Sequence, residues 1–193
     1  MSARWRDVAV AGHLGQTAVA RGALGDADPT VRELALGALH RCGDLSDGEL
    51  VAAFADQVPA VRRRAADLAA TRPHLDLGPL LHDADDTVVE QAAWSAGEQE
   101  VVSDEVLHRL IELAGHADGP LVREAAVAAL GAIGDERGVD AILHGCTDSP
   151  AIRRRAVLAL APFEGPDVEA AVDLALVDRD WQVRQAAEDL RRA

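Results

Sequence analysis

Residues 121–135 read LVREAAVAALGAIGD, and the opening of this stretch recurs throughout the chain of 193 residues. The recurring phrase is a β-branched residue, an arginine, two variable positions and an alanine. Its copies start 30, 27, 34, 30 and 31 positions apart. Repetition at this period indicates one supersecondary unit that stacks on its neighbours, because a single unit cannot bury its apolar face alone. The copies start at Val31, Val61, Val88, Val122, Ile152 and Val183.

Each copy of the phrase is predicted to open an α-helix. Four copies have a proline two residues before the β-branched position, where the first turn of a helix tolerates the missing N–H group. An aspartate precedes five copies and is expected to cap the free N–H groups of the helix. The β-branched residue and the positions four, seven, eight and eleven residues later form one apolar stripe. The prolines are Pro29, Pro59, Pro120 and Pro150, and the aspartates are Asp28, Asp85, Asp118, Asp148 and Asp180.

A second amphipathic segment lies between successive copies, and a capping box from Ser46 to Glu49 opens one of these segments. The unit is therefore a helix–turn–helix, and no segment has the pattern of a strand. We predict an all-α fold in one domain, residues 1–193, with an N-terminal cap over residues 1–15. The second segments are 17–24, 48–55, 75–82, 104–114, 138–145 and 166–177. The repeats are expected at about 16–44, 45–73, 74–102, 103–134, 135–164 and 165–193.

Residues 28–44 and 121–135 carry the pattern most fully, as Asp/Pro-x-Val-Arg-x-x-Ala-x-x-Ala-Leu-x-x-x-Gly-Asp. The pattern resembles the short HEAT-like repeats of bacteria, including those of phycobilin lyases, and the resemblance covers essentially the whole chain. It implies a right-handed α-solenoid of about six HEAT-like repeats plus an N-terminal capping helix. Because such repeats serve many unrelated binding roles, the resemblance leaves the activity open.

Composition narrows the class of partner. The net charge is −14, and all 19 basic residues are arginines. Non-specific binding to nucleic acids relies on clustered basic residues, so no nucleic-acid partner is expected. No stretch approaches 18 apolar residues and the N-terminus does not read as a secretory signal, so we expect a cytoplasmic protein without a membrane partner. Oligomeric state does not follow from the sequence.

The sequence lacks the patterns that metal and nucleophilic chemistry require. The seven histidines include no pair spaced as in zinc metalloproteases and none followed by glutamate. The repeated His-Glu pairs through which deoxyhypusine hydroxylases, which resemble HEAT arrays, bind iron are therefore missing. Cys42 and Cys146 form no Cys-x-x-Cys motif, and no Gly-x-Ser-x-Gly elbow occurs. We therefore expect a non-enzymatic protein with no metal and no cofactor.

The arginine of the phrase is expected to bond carboxylates or carbonyl groups at the repeat junctions and so to form a ladder along the stack. The copy at Val88 has Val89 in place of the arginine. This interruption predicts either a bend or a different packing in the third repeat, or simple sequence drift. The ladder arginines are Arg32, Arg62, Arg123, Arg153 and Arg184.

The helices that begin with the phrase are expected to line the concave face, as second helices do in HEAT-like stacks. Trp94, six positions after Val88, would then face the groove next to the smaller Ala128. Alternatively, its ring folds back and fills a gap between helices. The charges around it are either a solvated surface or a docking surface whose mixed charge sets the register of a partner. The candidate groove residues are Arg63, Arg64, Asp67, Glu90, Trp94, Glu124, Arg154, Arg155 and Leu158.

These observations support three hypotheses on function, in order of preference. The first is a non-enzymatic scaffold or adaptor that binds a peptide or protein surface in its concave groove. The second is a lyase-like or chaperone-like delivery of a chromophore or small ligand to a client, as in phycobilin lyases. The third, recognition of DNA lesions, is disfavoured by the net charge of −14, because the HEAT-like alkylpurine DNA glycosylases have a basic groove.

Overall fold

The computed structural model describes residues 3–99 and 101–192, which contain thirteen α-helices, one short 3-10 turn and no β-strand. A first, unpaired helix is followed by six helix pairs that stack in chain order, so the predicted all-α solenoid is confirmed. Within the described residues, every helix is too short or too polar to span a lipid bilayer. The inner layer consists of α1 (Ala3–Leu14), α3 (Pro29–Arg41), α5 (Pro59–Ala69), α7 (Asp86–Gly97), α9 (Pro120–Ile133), α11 (Pro150–Ala159) and α13 (Trp181–Arg192). The outer layer consists of α2 (Thr17–Gly22), α4 (Asp47–Phe54), α6 (Gly78–Leu81), α8 (Asp104–His116), α10 (Val139–Gly145) and α12 (Pro166–Leu176).

Local sequence signals set the starts of several helices. The predicted capping box opens α4: Ser46 Oγ accepts a hydrogen bond from the backbone N–H of Glu49, whose carboxylate accepts one from the N–H of Ser46. Four inner helices begin at a proline, as predicted, because a helix does not need the N–H group of its first residue. These prolines are Pro29 in α3, Pro59 in α5, Pro120 in α9 and Pro150 in α11.

The predicted aspartate caps are present at three of the five helices. The side chains of Asp28, Asp85 and Asp180 accept hydrogen bonds from backbone N–H groups in the first turns of α3, α7 and α13. The prediction is wrong for Asp118 and Asp148. In α9 and α11 the cap position falls on the next residue, a glycine and a serine respectively, and neither makes a side-chain capping bond. The carboxylates of Asp118 and Asp148 are therefore available for contacts between repeats.

The outer layer is less regular than the sequence predicts in the third repeat. The segment 75–82 was expected to be helical throughout, but α6 spans only Gly78–Leu81. The buried side-chain amide of Gln99 donates hydrogen bonds to the carbonyl oxygens of Arg72 and Leu75, at 3.3 and 3.2 Å. These bonds hold the chain before α6 in an irregular conformation, so the helix starts late.

Small residues let the inner helices approach closely. A methyl group added to Gly131 of α9 would lie 2.6 Å from the Cα atom of Ala159 in α11. One added to Gly97 of α7 would lie 3.0 Å from the Cα atom of Ala129 in α9. A carbon at either position would crowd the neighbouring backbone. The helices α7, α9 and α11 are therefore packed backbone to backbone, over a core built mainly from alanine, valine and leucine.

Candidate functional site

The arginine of the repeated phrase lies at the junctions between repeats. The guanidinium group of Arg62 donates two hydrogen bonds to the carboxylate of Asp83, at 2.6 and 2.7 Å, and one to the carbonyl oxygen of Asp56, at 2.8 Å. Arg153 donates two bonds of 2.8 Å to Asp178. Each pair joins an inner helix to the turn before the next inner helix, and we call this series the arginine ladder. Its rungs are Arg32–Asp56, Arg62–Asp83, Arg123–Asp148 and Arg153–Asp178.

The two ends of the arginine ladder differ from each other in their acceptor groups. Arg184, in the last described repeat, donates to the carbonyl oxygen of Asp178 at 2.7 Å and has no carboxylate partner among the described residues. At the other end, Arg4 of α1 pairs with Asp26 at 3.1 Å, a rung that the repeated phrase does not predict. The rung of Arg4 becomes visible in the sequence when α1 is aligned with α9. Arg4 lies four residues before the buried Val8, just as Arg123 lies four residues before Val127.

One junction between these ends has no rung. Val89 stands at the arginine position of α7 and is 4% exposed. The neighbouring inner helices remain close, since Gly97 of α7 contacts Ala129 of α9. The interruption at Val89 therefore changes the polar contacts of the junction and leaves the inner packing intact.

The ladder lowers the pKa values of its carboxyl groups. Hydrogen bonds from the arginines stabilise the ionised carboxylates, and this effect exceeds the opposing effect of partial burial. The aspartates with lowered pKa values are Asp56, Asp83, Asp148 and Asp178.

The lowered pKa values predict that acid weakens the ladder. The pKa of each aspartate is lower in the folded chain than in the unfolded chain, so the contribution of the ladder is complete above about pH 5 and declines as the pH falls through the folded-state values. Urea unfolding at pH 5 and pH 3 measures this loss. The double variant Arg153→Val/Asp178→Ala, which has one rung fewer, should lose less stability between these pH values than the wild-type chain. An equal loss in both proteins would contradict the prediction.

Side chains from α7 and α11 meet across α9. The guanidinium carbon of Arg155 lies 5.1 Å from the centroid of the Trp94 ring, a cation–π contact. Arg155 Nε also lies 3.5 Å from a carboxylate oxygen of Glu124 in α9. Trp94 and Arg155 belong to helices two repeats apart, so their side chains meet over the intervening helix α9. Trp94 is half-buried against the hydrophobic core, so its ring both packs on the core and is covered by Arg155.

The other candidate groove residues differ in their partners. Arg64 forms an ion pair with Asp67 within α5. Arg63 and Arg154 have no ion-pair partner among residues 3–99 and 101–192, and the Nε atom of Arg154 is buried without a hydrogen bond. Leu158 of α11 is 41% exposed. Glu90 is half-buried in α7.

Two observations concern the reactive side chains of the described residues. Burial raises the pKa of the Cys146 thiol to about 11, so the thiol is protonated at neutral pH and is a poor nucleophile. In the described part of the chain, no three or more His, Cys, Asp and Glu side chains are grouped to hold a metal ion. The candidate groove residues supply an aromatic ring, guanidinium groups and carboxylates, and tryptophan and arginine are enriched among the residues that dominate binding at protein interfaces.

Comparisons with known proteins agree with this architecture. A family model described as HEAT repeats matches residues 75–161. No curated protein sequence gives a significant match. Among solved structures, the Escherichia coli protein YibA is 19% identical with a TM-score of 0.63, over 81% of this chain and 61% of that protein. The chain thus spans less than two thirds of the length of YibA.

Two further structures share the fold over nearly the whole chain. A designed armadillo repeat protein, solved in complex with the peptide (KR)4, is 17% identical with a TM-score of 0.63, over 94% of this chain and 98% of its own. Human deoxyhypusine hydroxylase is 19% identical with a TM-score of 0.51, over 98% of this chain and 78% of its own. At these identities the likeness concerns the fold alone. The family match covers residues 75–161, and the structural likeness shows that the chain has the stacked-helix fold of HEAT and armadillo repeats.

Proposed function

We propose that this chain is a non-enzymatic scaffold that binds an extended segment of a partner protein in the concave groove of its inner layer. The contact between Trp94 and Arg155 is the observation that carries the proposal. It places the guanidinium group of Arg155 over the aromatic ring of Trp94, although the two residues lie on helices two repeats apart. Tryptophan and arginine are enriched among the residues that contribute most to binding at protein interfaces, especially near the centre of the contact.

The charged residues on either side of Trp94 support the same surface as the binding site. Arg63 of α5 and Arg154 of α11 have no ion-pair partner among the described residues. They lie three inner-helix spacings apart, which corresponds to about 24–30 Å. An extended peptide covers about 3.3 Å per residue, so about eight or nine residues span this separation. A partner segment with acidic residues at that spacing and an apolar side chain between them would match the groove.

The comparison with designed armadillo repeats supports the binding of a peptide by a solenoid of this size. That protein holds a basic peptide, (KR)4. In the present chain the groove contains Arg63 and Arg154 as well as Glu90 and Glu124. We therefore expect a partner segment of mixed charge, whose register is set by attraction and repulsion along the groove.

The test is selection of peptides from a phage-displayed library on the immobilised protein, followed by fluorescence anisotropy with synthetic copies of the selected peptides. Trp94→Ala is expected to weaken binding by about 2 kcal/mol or more while circular dichroism still shows a folded helical protein, as for an aromatic hot spot. The matched control is Trp181→Ala. Trp181 is the same residue type, is 64% exposed and lies at the first position of α13, outside the candidate groove.

Arg63→Ala and Arg154→Ala should have smaller effects than Trp94→Ala. Charges at the rim of an interface mainly accelerate association, so these variants should bind more slowly, and the difference from the wild-type chain should shrink at high salt. Normal binding by Trp94→Ala together with loss of binding by Trp181→Ala would place the binding surface outside the groove and refute the proposal.

A further inference from the structure

The junction without a rung contains a cavity of about 670 Å³. At two junctions with a rung the corresponding cavities are smaller, about 190 Å³ beside Arg32 and about 290 Å³ beside Asp178. Val89 and Val122 line the large cavity at the positions that Arg32 and Val61 occupy in the first of the smaller ones. The large cavity thus includes the space that an arginine side chain fills at the other junctions.

The carboxylate that would accept this arginine is still present. Asp118 lies four residues before Val122, as Asp148 lies four residues before Ile152. Asp148 accepts two hydrogen bonds from Arg123, at 2.8 and 3.3 Å. Asp118 lines the cavity and has no ion-pair partner in the described part of the chain. The junction has therefore lost the donor of the rung and kept its acceptor.

A backbone acceptor is retained as well. Arg32 and Arg62 each donate to the carbonyl oxygen six residues earlier in the chain, at 2.9 and 2.8 Å. The residue six positions before Val89 is Asp83, which also lines the cavity. With the carboxylate of Asp118, this carbonyl completes the set of acceptors that a ladder arginine uses at the other junctions.

The neighbouring Arg109 does not replace the missing arginine. It lines the cavity from α8, but its guanidinium group donates to the carbonyl oxygen of Leu81, at 3.2 Å, and to the carboxylate of Glu112, at 3.0 Å. Its charge is therefore balanced by Glu112, and it makes no ion pair with Asp118.

The walls of the cavity indicate which cation fits. Val89, Leu113 and Val122 are buried and apolar, whereas Asp86 and Asp118 are exposed at its edge. An apolar wall with an acidic edge matches a cationic group on an aliphatic stem, because such side chains pack their methylene groups on apolar surface and keep the charge outside. A metal ion fits less well, since the described residues provide no group of three or more metal-binding side chains.

We propose that this cavity binds an alkylguanidinium group, which completes the ladder from outside the chain. Its head donates hydrogen bonds to the carboxylate of Asp118 and the carbonyl oxygen of Asp83, and its stem packs on Val89 and Val122. The group belongs either to an arginine of a partner protein or to a free guanidino compound. This site is separate from the concave groove, so it does not depend on the proposed scaffold function.

The test is an NMR titration of the ¹⁵N-labelled protein with agmatine, with an arginine residue blocked at both ends, and with the neutral analogue citrulline. Agmatine is expected to cause saturable shifts confined to residues 83–89 and 109–122, and citrulline none. If the blocked arginine causes the same shifts, the source is a partner side chain; if only agmatine does, the source is a free compound. The absence of saturable shifts with both cations would overturn the proposal.

Two variants sharpen the test. Val89→Arg supplies the missing rung from within the chain, so it should stay folded and show no saturable response to agmatine. Asp118→Asn changes an exposed side chain and should weaken agmatine binding about threefold to fivefold. Asp140→Asn, an equal charge change at an exposed position of α10, is the matched control and should bind as the wild-type chain does. Wild-type affinity in Val89→Arg, or equal effects of the two Asp→Asn variants, would refute the site.

Discussion

Replacing Arg153 with valine is expected to lower the free energy of unfolding by about 3 kcal/mol, because Asp178 then keeps its charge without its guanidinium partner. The two side chains are 9% and 15% exposed, so water compensates only weakly for the lost bonds. Urea unfolding at pH 7, followed by circular dichroism, measures the loss. The matched control is Arg179→Val, since Arg179 is exposed and makes no ion pair among the described residues, and this variant should change stability by less than about 0.5 kcal/mol.

Adding Asp178→Ala to Arg153→Val should restore part of the lost stability. The second substitution removes the stranded carboxylate, and apolar replacements of a whole buried ion pair are often close to neutral. Recovery will be incomplete because Asp178 also accepts a hydrogen bond of 2.7 Å from the backbone N–H of Asp180. A double-mutant cycle should give a coupling of about 1–3 kcal/mol between the two side chains. Strictly additive losses would show that the rung is energetically unimportant.

Replacing Gly131 with alanine is expected to lower the free energy of unfolding by about 1–2 kcal/mol. Alanine favours a helix over glycine by about 1 kcal/mol, but the new methyl group would meet the backbone of Ala159 rather than a flexible side chain. Overpacking of this kind costs about 1–3 kcal/mol, occasionally more, and shifts neighbouring backbone. Thermal and urea unfolding measure the net effect.

Gly115→Ala is the matched control for Gly131→Ala. Gly115 lies in α8, and a methyl group added there would meet no atom within 4 Å. This variant should be unchanged or more stable by up to about 1 kcal/mol, since only the helix preference of alanine acts. A gain in both variants would mean that α9 and α11 are not in backbone contact.

The helices were predictable because their signals are local and repeated. A proline opens α3, α5, α9 and α11, and a capping box opens α4, all within one turn of the residues that they control. Repetition gave each signal several chances to be recognised. The capping predictions for Asp118 and Asp148 were wrong because the cap position of α9 and of α11 lies one residue later in the chain. The repeated pattern does not fix a helix boundary to within one residue.

The contacts of the candidate groove and of the cavity were less predictable because they join distant parts of the chain. The covering of Trp94 by Arg155 depends on how closely α7, α9 and α11 approach one another, and that distance depends on glycines whose significance appears only in the packed stack. The cavity beside Val89 similarly requires knowledge of what fills the other junctions. Sequence alone marked Val89 as an exception and could not show whether the space had closed.

The close contacts of Gly97 and Gly131 also have a mechanical meaning. Packed backbone has a low compressibility, so α7, α9 and α11 cannot move nearer to one another within the inner layer. The outer layer, with a single turn in α6, imposes no comparable stop. The central repeats should therefore resist an increase in curvature much more strongly than a decrease. A partner that binds in the proposed groove should widen it more easily than narrow it.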